Sequence, residues 1–280
     1  MRPALPAAGE TGPITHAMSI DVEDWYHSLD PDPANWPAYD HRILASTRKM
    51  LDIFERTGTR ATFFVLGPVA EREPGLIAEI HRAGHEIASH GSEHRMVYAQ
   101  SPTEFEADVR RSVAALEAAT GVAPRGYRAP CFSITKRSLW ALEILKALGF
   151  SYDSSIHPVH NPRYGIARAP RLPHLAAPGL IEVPISTFPL GSLNLPCAGG
   201  VYFRTLPWLL LERMFRRLEG RGERIVFYFH PWELDPGQPR IAAPWPLRLR
   251  HYHALAGSAA KFERLCRTFR FGTISEAVGA

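Results

Sequence analysis

Short apolar runs alternate along the chain with stretches in which apolar residues recur every three or four positions. The runs are strand candidates: Ala17 to Asp21, Ala61 to Leu66, Glu86 to His90, Phe150 to Asp153, Ile181 to Ile185, Ile225 to His230 and Phe271 to Ile274. The second is β-branched and aromatic and is stopped by Gly67-Pro68. Between the runs, Ile43, Leu44, Thr47, Met50, Leu51 and Phe54 fall on one helical face, as do Leu76, Ile77, Ile80 and Ala83 ahead of Gly84. Ser101-Pro102-Thr103-Glu104 is a capping-box pattern with proline at the first helical position, so a helix starts there and buries Phe105, Val109, Val113 and Leu116. Further helices are marked by Leu139, Leu142 and Leu145, by Trp208, Leu211, Phe215 and Leu218, and by Phe262 and Leu265.

Such alternation predicts a parallel sheet covered by helices, since one parallel strand reaches the next only through a crossover. Six to eight units without a GxGxxG turn favour an α/β barrel over an open dinucleotide-binding sheet. At 280 residues the chain has the ordinary length of one such barrel. Residues 1–17 read as an extension without the apolar stretch of a secretory signal, and residues 18–280 as a single domain. The Pro-rich stretches 157–178 and 231–246 carry too many aromatics and histidines for linkers and read as long ordered loops.

Composition then removes several classes of function. The formal charge is +4 and no dense Lys/Arg run is interleaved with aromatics, which argues against nucleic acid as a partner. The longest apolar runs, such as Trp208–Leu211, are too short for a transmembrane segment. Cys131, Cys197 and Cys266 are far apart and form no CxxC pair, so neither a thiolate metal site nor a disulfide framework is expected, and a reducing compartment is the simpler reading. Cys131 reads as a small apolar filler and not a nucleophile.

Ionisable residues gather at the C-terminal ends of the strand candidates: Asp21-Val22-Glu23-Asp24, His90-Gly91-Ser92-Glu93-His94, Arg128-Ala129-Pro130 and His230-Pro231-Trp232-Glu233. In a barrel those ends share one rim, so four sites spread over some 200 residues become one pocket. His90 and His94, four apart, suit two imidazoles on one metal, although a chain with 13 histidines makes such a pair by chance often enough that it needs support. Support comes from the acids: three in four residues exceed what a turn needs, and a cation relieves their repulsion. Period-two geometry points Asp21 and Glu23 the same way and favours Glu23 as third ligand, with Asp24 the alternative if the strand has already ended. His230 emerges from Val226-Phe227-Tyr228-Phe229, a placement suited to proton transfer, and Arg128 could fix the charge state of a carboxylate.

Taken in order, Asp21-Val22-Glu23-Asp24, His90-Gly91-Ser92-Glu93-His94, Arg128-Ala129-Pro130-Cys131-Phe132, Tyr152-Asp153-Ser154-Ser155 and Phe229-His230-Pro231-Trp232 resemble the motifs of the NodB-type polysaccharide deacetylases, carbohydrate esterase family 4. Tyr152–Ile156, Arg163-Tyr164-Gly165 and His230–Pro236 resemble more closely the branch found at bacterial exopolysaccharide and exosortase loci. The resemblance implies a distorted (β/α) barrel of about seven parallel strands and a divalent metal, usually zinc, held by one acid and two histidines. It implies Asp21 as catalytic base, Arg128 as the residue orienting it, His230 as catalytic acid, and His90 and His94 as metal ligands. Asp-Val-Glu-Asp replaces the family's adjacent Asp-Asp, which leaves Glu23 and Asp24 both open, and Cys131 displaces the aromatic that usually follows the proline. Pro130, Phe132 and Trp232 are then candidates for substrate contact, Trp25, Tyr26 and Trp245 for stacking on sugars, and Asp153 for tuning His230.

The implied activity is removal of N-acetyl groups from a polysaccharide or lipid-linked oligosaccharide, in the cytoplasm or at the inner membrane face, with transient contact with membrane assembly machinery. A metal amidohydrolase acting on a small non-glycan amide and a non-catalytic glycan-binding module are the alternatives.

Overall fold

The structure, a computed structural model, describes residues 14–30 and 32–279. Its strands are β1 (His16–Val22), β2 (Thr62–Val65), β3 (Glu86–Ser89), β4 (Gly126–Tyr127), β5 (Tyr152–Asp153), β6 (His174–Ala177), β7 (Leu180–Glu182), β8 (Thr187–Leu190), β9 (Leu193–Pro196), β10 (Val226–Phe229) and β11 (Phe271–Gly272). The main sheet runs β10-β1-β2-β3-β4-β5-β7-β6, with β11 also on β1. From β10 to β7 every pairing is parallel, giving the seven strands expected, and only the edge strand β6 is antiparallel. The sheet curls into an open barrel with helices on its outside.

All seven residues of β1 are buried, because it has sheet neighbours on both sides, helices over one face and the barrel interior over the other. The main apolar cluster extends from it through Phe63, Phe64, Phe227 and Phe229 to helices α1 (Ile43–Thr57), α2 (Gly67–Arg72) and α3 (Pro74–Arg82). The next helix, α4 (Pro102–Thr120), begins as its sequence directs: Ser101 Oγ accepts from Glu104 N–H, and the Glu104 carboxylate accepts from Ser101 N–H. Its other end stops at Gly121, which takes φ +76°. The remaining helices are α5 (Trp140–Ala147), α6 (Gly200–Thr205), α7 (Trp208–Glu219), α8 (Trp245–Tyr252), α9 (Ser258–Thr268) and α10 (Ile274–Val278).

Three expectations need adjustment. The 1–17 extension falls mostly outside the described residues, but its last two, His16 and Ala17, are buried in β1, which therefore starts earlier. The Ile181–Ile185 run pairs only as far as Glu182, because Pro184 has no N–H to give a ladder. Beyond it the gap to β10 is bridged by Ser186 N–H to Val226 O (3.0 Å) and Val226 N–H to Ser186 Oγ (2.9 Å). Finally, the 157–178 loop ends in β6, turned onto β7 by Pro178-Gly179 with Gly179 at φ +85°. The two-stranded β8–β9 sheet was also not anticipated, being short and carrying a proline in each strand.

The capping box gives a first prediction. Ser101→Ala lowers unfolding free energy by about 1 kcal/mol, and Ser101→Asp restores most of it, as read from urea titrations. Equal stability of the alanine variant would show that packing alone sets the start of α4.

Candidate active site and metal centre

Strand register levels the chemistry on one rim. Val65 pairs with Ser89, Ser89 with Tyr127, Tyr127 with Asp153, and Ile20 with Phe229. His90, Arg128, Ser154 and His230 are each the first residue beyond a strand, while Asp21 lies in β1 opposite Phe64. Residues far apart in sequence thus meet at the C-terminal ends of parallel strands.

Glu23 Oε1 lies 2.9 Å from His90 Nε2 and 2.9 Å from His94 Nε2. Among the described residues this is the one set of three such side chains whose ligand atoms converge. Burial alone would push the Glu23 carboxyl up, but the two imidazoles against it outweigh burial and hold it well below the usual carboxylate range. His90 Nδ1 is 2.7 Å from Arg128 O; a carbonyl only accepts, so Nδ1 carries the proton and a neutral ring turns its Nε2 lone pair toward Glu23. Lone pairs facing a carboxylate oxygen at this separation need a proton or a cation between them, so the donor set fits a divalent metal. Asp24, the other candidate, lies outside this set. Its Oδ2 accepts from Arg42 N–H (2.9 Å) and Ile43 N–H (3.1 Å), and its Oδ1 from Trp25 N–H (3.0 Å). It serves the unpaired amides at the start of α1, which draws it away from the histidines.

The loop holding both histidines hangs on Asp108 of α4. Its carboxylate accepts from Ser92 N–H (2.9 Å) and Glu93 N–H (2.8 Å), and its carbonyl from Ser92 Oγ (3.0 Å). Gly91 is required here: it takes φ +73°, and a Cβ would come within 2.6 Å of Asp108 Oδ2. Asp108 had no signal in the sequence beyond a polar position on an amphipathic helix.

Asp21 Oδ1 accepts from Arg128 Nη1 at 2.6 Å, with both side chains buried. Arg128 also donates from Nε to Ser154 O (3.2 Å) and from Nη2 to Ser154 Oγ (2.9 Å), and its guanidinium lies 4.1 Å from the Phe64 ring centre. The other Asp21 oxygen faces His230 Nε2 at 3.9 Å. His230 Nδ1 lies 2.8 Å from Glu233 Oε1, and Glu233 is ion-paired to Arg204 Nε at 2.6 Å. Burial would lower the His230 pKa; the hydrogen bond to Glu233 and the charges of Glu23, Glu233 and Asp21 outweigh it and raise it. Asp153 does not tune His230. It pairs across β5–β7 with Glu182 and accepts from Ser155 Oγ, and burial raises the pKa of both carboxyls. Glu233 takes the tuning position, and its i+3 spacing from His230, the spacing of a capping box, was the available signal.

Asp21, Glu23, Cys131, Phe132, Tyr202, Tyr228, His230 and Trp232 line one cleft. Pro130 is buried and lies outside that lining; it opens a tight turn in which Cys131 and Phe132 both take positive φ, 51° and 53°. That turn carries Cys131 to the cleft wall and packs Phe132 edge-on against Tyr228. Burial pushes the Cys131 thiol up to about 11, which leaves it inert. Trp232 is sandwiched between the rings of His230 and His251, so it braces the acid instead of offering a free face. Trp25 and Tyr26 are buried in a satellite cluster, and Trp245 is exposed on α8 away from the cleft lining.

Separating the two acids is a direct check. Glu23→Gln abolishes tight zinc binding in calorimetric titration with little change in folding, whereas Asp24→Ala binds zinc and loses roughly 1–2 kcal/mol of stability through the lost α1 contacts. The reverse pattern would make Asp24 the ligand.

Comparison with known proteins adds three findings. Residues 31–152 match a family model described as polysaccharide deacetylase, and residues 154–279 match one described as a domain of unknown function. A peptidoglycan-N-acetylglucosamine deacetylase of Bacillus cereus is 32% identical over 101 residues, 36% of this chain and 37% of that protein. A peptidoglycan deacetylase of Helicobacter pylori is 32% identical over 113 residues, 40% of this chain and 37% of that protein. The chain thus spans little more than a third of either relative. A crystal structure of a putative polysaccharide deacetylase from Mycobacterium smegmatis superposes over 100% of this chain and 94% of its own, with TM-score 0.64 and 22% identity, and so shares the fold. The likeness to polysaccharide deacetylases in sequence thus lies in residues 31–152, and the likeness to the solved structure is one of fold.

Proposed function

We propose that the protein is a metal-dependent hydrolase that removes N-acetyl groups from a polysaccharide, in the synthesis or modification of an exopolysaccharide. One juxtaposition carries this reading: an Arg128-bound Asp21 carboxylate faces His230 beside the Glu23–His90–His94 cluster, and Asp21, Glu23 and His230 line a single cleft. The motifs of residues 152–236 support the exopolysaccharide assignment.

Glu23, His90 and His94 would hold the metal, and two imidazoles with one carboxylate suit zinc. When bound, the cation polarises the acetyl carbonyl and stabilises the charge that develops on its oxygen. Asp21 acts as the base that takes a proton from the attacking water. Its tie to Arg128 orients the carboxylate and leaves the other oxygen facing the cleft. His230 is the acid: Glu233 at Nδ1 orients the ring and supports its protonated form, so Nε2 carries the proton given to the departing sugar amine.

Acetate release from N-acetylated oligosaccharides by zinc-loaded protein tests the reading. Asp21→Asn lowers kcat roughly 10²–10⁴-fold without unfolding. Full activity in that variant, or in metal-stripped protein, would overturn it.

The pH profile makes a separate prediction. His230 must be protonated to act, so kcat/KM falls as pH rises through its raised pKa. Glu233→Gln removes the partner that raises it, and the alkaline limb moves to lower pH. An unmoved limb would assign it to another group.

A further inference from the structure

The ionic groups deep in the cleft are matched among themselves. Arg128 neutralises Asp21, Arg204 neutralises Glu233, and Glu23 faces His90 and His94. Two further guanidiniums line the same cleft: Arg163, from the loop between β5 and β6, and Arg250, from α8. Both are exposed, and neither has a carboxylate partner among the described residues. Arg48, Arg56, Arg110, Arg111 and Arg267 on the outer surface each lie against a glutamate, while other exposed arginines such as Arg82, Arg125 and Arg168 do not; Arg163 and Arg250 are set apart by lining the cleft. The fields of Arg163 and Arg250 both reach Cys131, so the two charges act on one region of the wall. Tyr164, Tyr202 and Tyr228 line the space with them. A neutral glycan gives this arrangement no counter-charge, whereas the planar fork of a guanidinium fits a carboxylate or phosphate through paired N–H donors.

We infer that the glycan accepted here carries an anionic group, a carboxylate or a phosphate, close to the sugar that is deacetylated, and that Arg163 and Arg250 bind it. This inference rests on the deacetylase reading for its reaction and on the cleft alone for its charge preference. The two residues are specificity determinants and take no part in bond making or breaking.

The test compares zinc-loaded enzyme on three N-acetylated oligosaccharides of equal length: one neutral, one with alternating uronic acid, one with phosphodiester links. Wild type prefers at least one anionic substrate by roughly 10- to 100-fold in kcat/KM, chiefly through KM, and added salt narrows the gap. The Arg163→Ala/Arg250→Ala double variant brings the ratio near one, and the double lysine variant recovers part of it. The uronate and phosphodiester arms identify which anion is bound. A wild-type ratio near one, or a ratio unchanged in the alanine variant, would overturn the inference. The same three oligosaccharides are titrated calorimetrically into the Asp21→Asn variant. Preferential binding of an anionic glycan with no acetate release by wild type from any of the three would sink the deacetylase reading and leave the charge preference standing. Equal binding of all three would do the opposite.

Discussion

Burying a guanidinium is costly unless its donors are met, and Arg128, wholly buried, has Asp21 and both oxygens of Ser154 on its N–H groups and Phe64 against its face. The consequence extends past charge pairing, because the same residue acts through its main chain. Its carbonyl takes the Nδ1 proton of His90 and so decides which nitrogen of that ring is left for a metal. One residue at the end of β4 therefore fixes Asp21 with its side chain and His90 with its backbone. Asp21 and His90 keep their relation only if β4 stays in register with β3, which Arg128 N–H to Ser89 O (2.9 Å) secures.

The acid side of the cleft is built on the same logic with different parts. Glu233 accepts from His230 N–H at 3.2 Å and contacts its ring nitrogen, so main chain and side chain of the histidine are held by one carboxylate oxygen. Arg204 then compensates the buried Glu233 charge while its guanidinium also donates to the carbonyls of Arg250 and His251. Two ion pairs with a histidine between them give the cleft an Asp21 carboxylate held by Arg128 and a His230 whose charged form is favoured.

Strand–helix alternation was legible because the strands are short and apolar, some of them followed by proline or glycine as at Gly67-Pro68 and Pro231, and α4 was legible to the residue through its capping box. The rim was legible because parallel strands place their C-terminal ends together whatever lies between them. Contacts that depend on side-chain choices between elements were hidden. Nothing local says that Asp24 would serve the amides of Arg42 and Ile43, 18 and 19 residues later, or that Asp108 would hold the His90–His94 loop. Asp153 was read toward His230 because both sit at strand ends, but β5 pairs with β7 and so hands Asp153 to Glu182. Pro130 looked like cleft lining because it neighbours the true lining residues; its role is to start the turn that puts Cys131 and Phe132 at positive φ, a conformation side chains resist and surrounding packing enforces.

The division of the chain into two matched segments does not divide the chemistry. Residues 31–152 hold His90, His94 and Arg128, but Asp21 and Glu23 precede them in β1, and His230, Glu233 and Arg204 lie in the segment whose family model has no assigned function. β1 is hydrogen-bonded to β10 on one side and, on the other, to β11 at its start and to β2 beyond. Without the later segment it would lose one whole flank, and the strand that carries Asp21 and leads into Glu23 would become a sheet edge with unpaired amides. Arg128 would at the same time lose Ser154, whose hydroxyl is itself held by Val183 O at 2.7 Å. Residues 154–279 therefore support Asp21 and Glu23 through the sheet as well as supplying His230, so their part in the fold cannot be separated from their part in the candidate site.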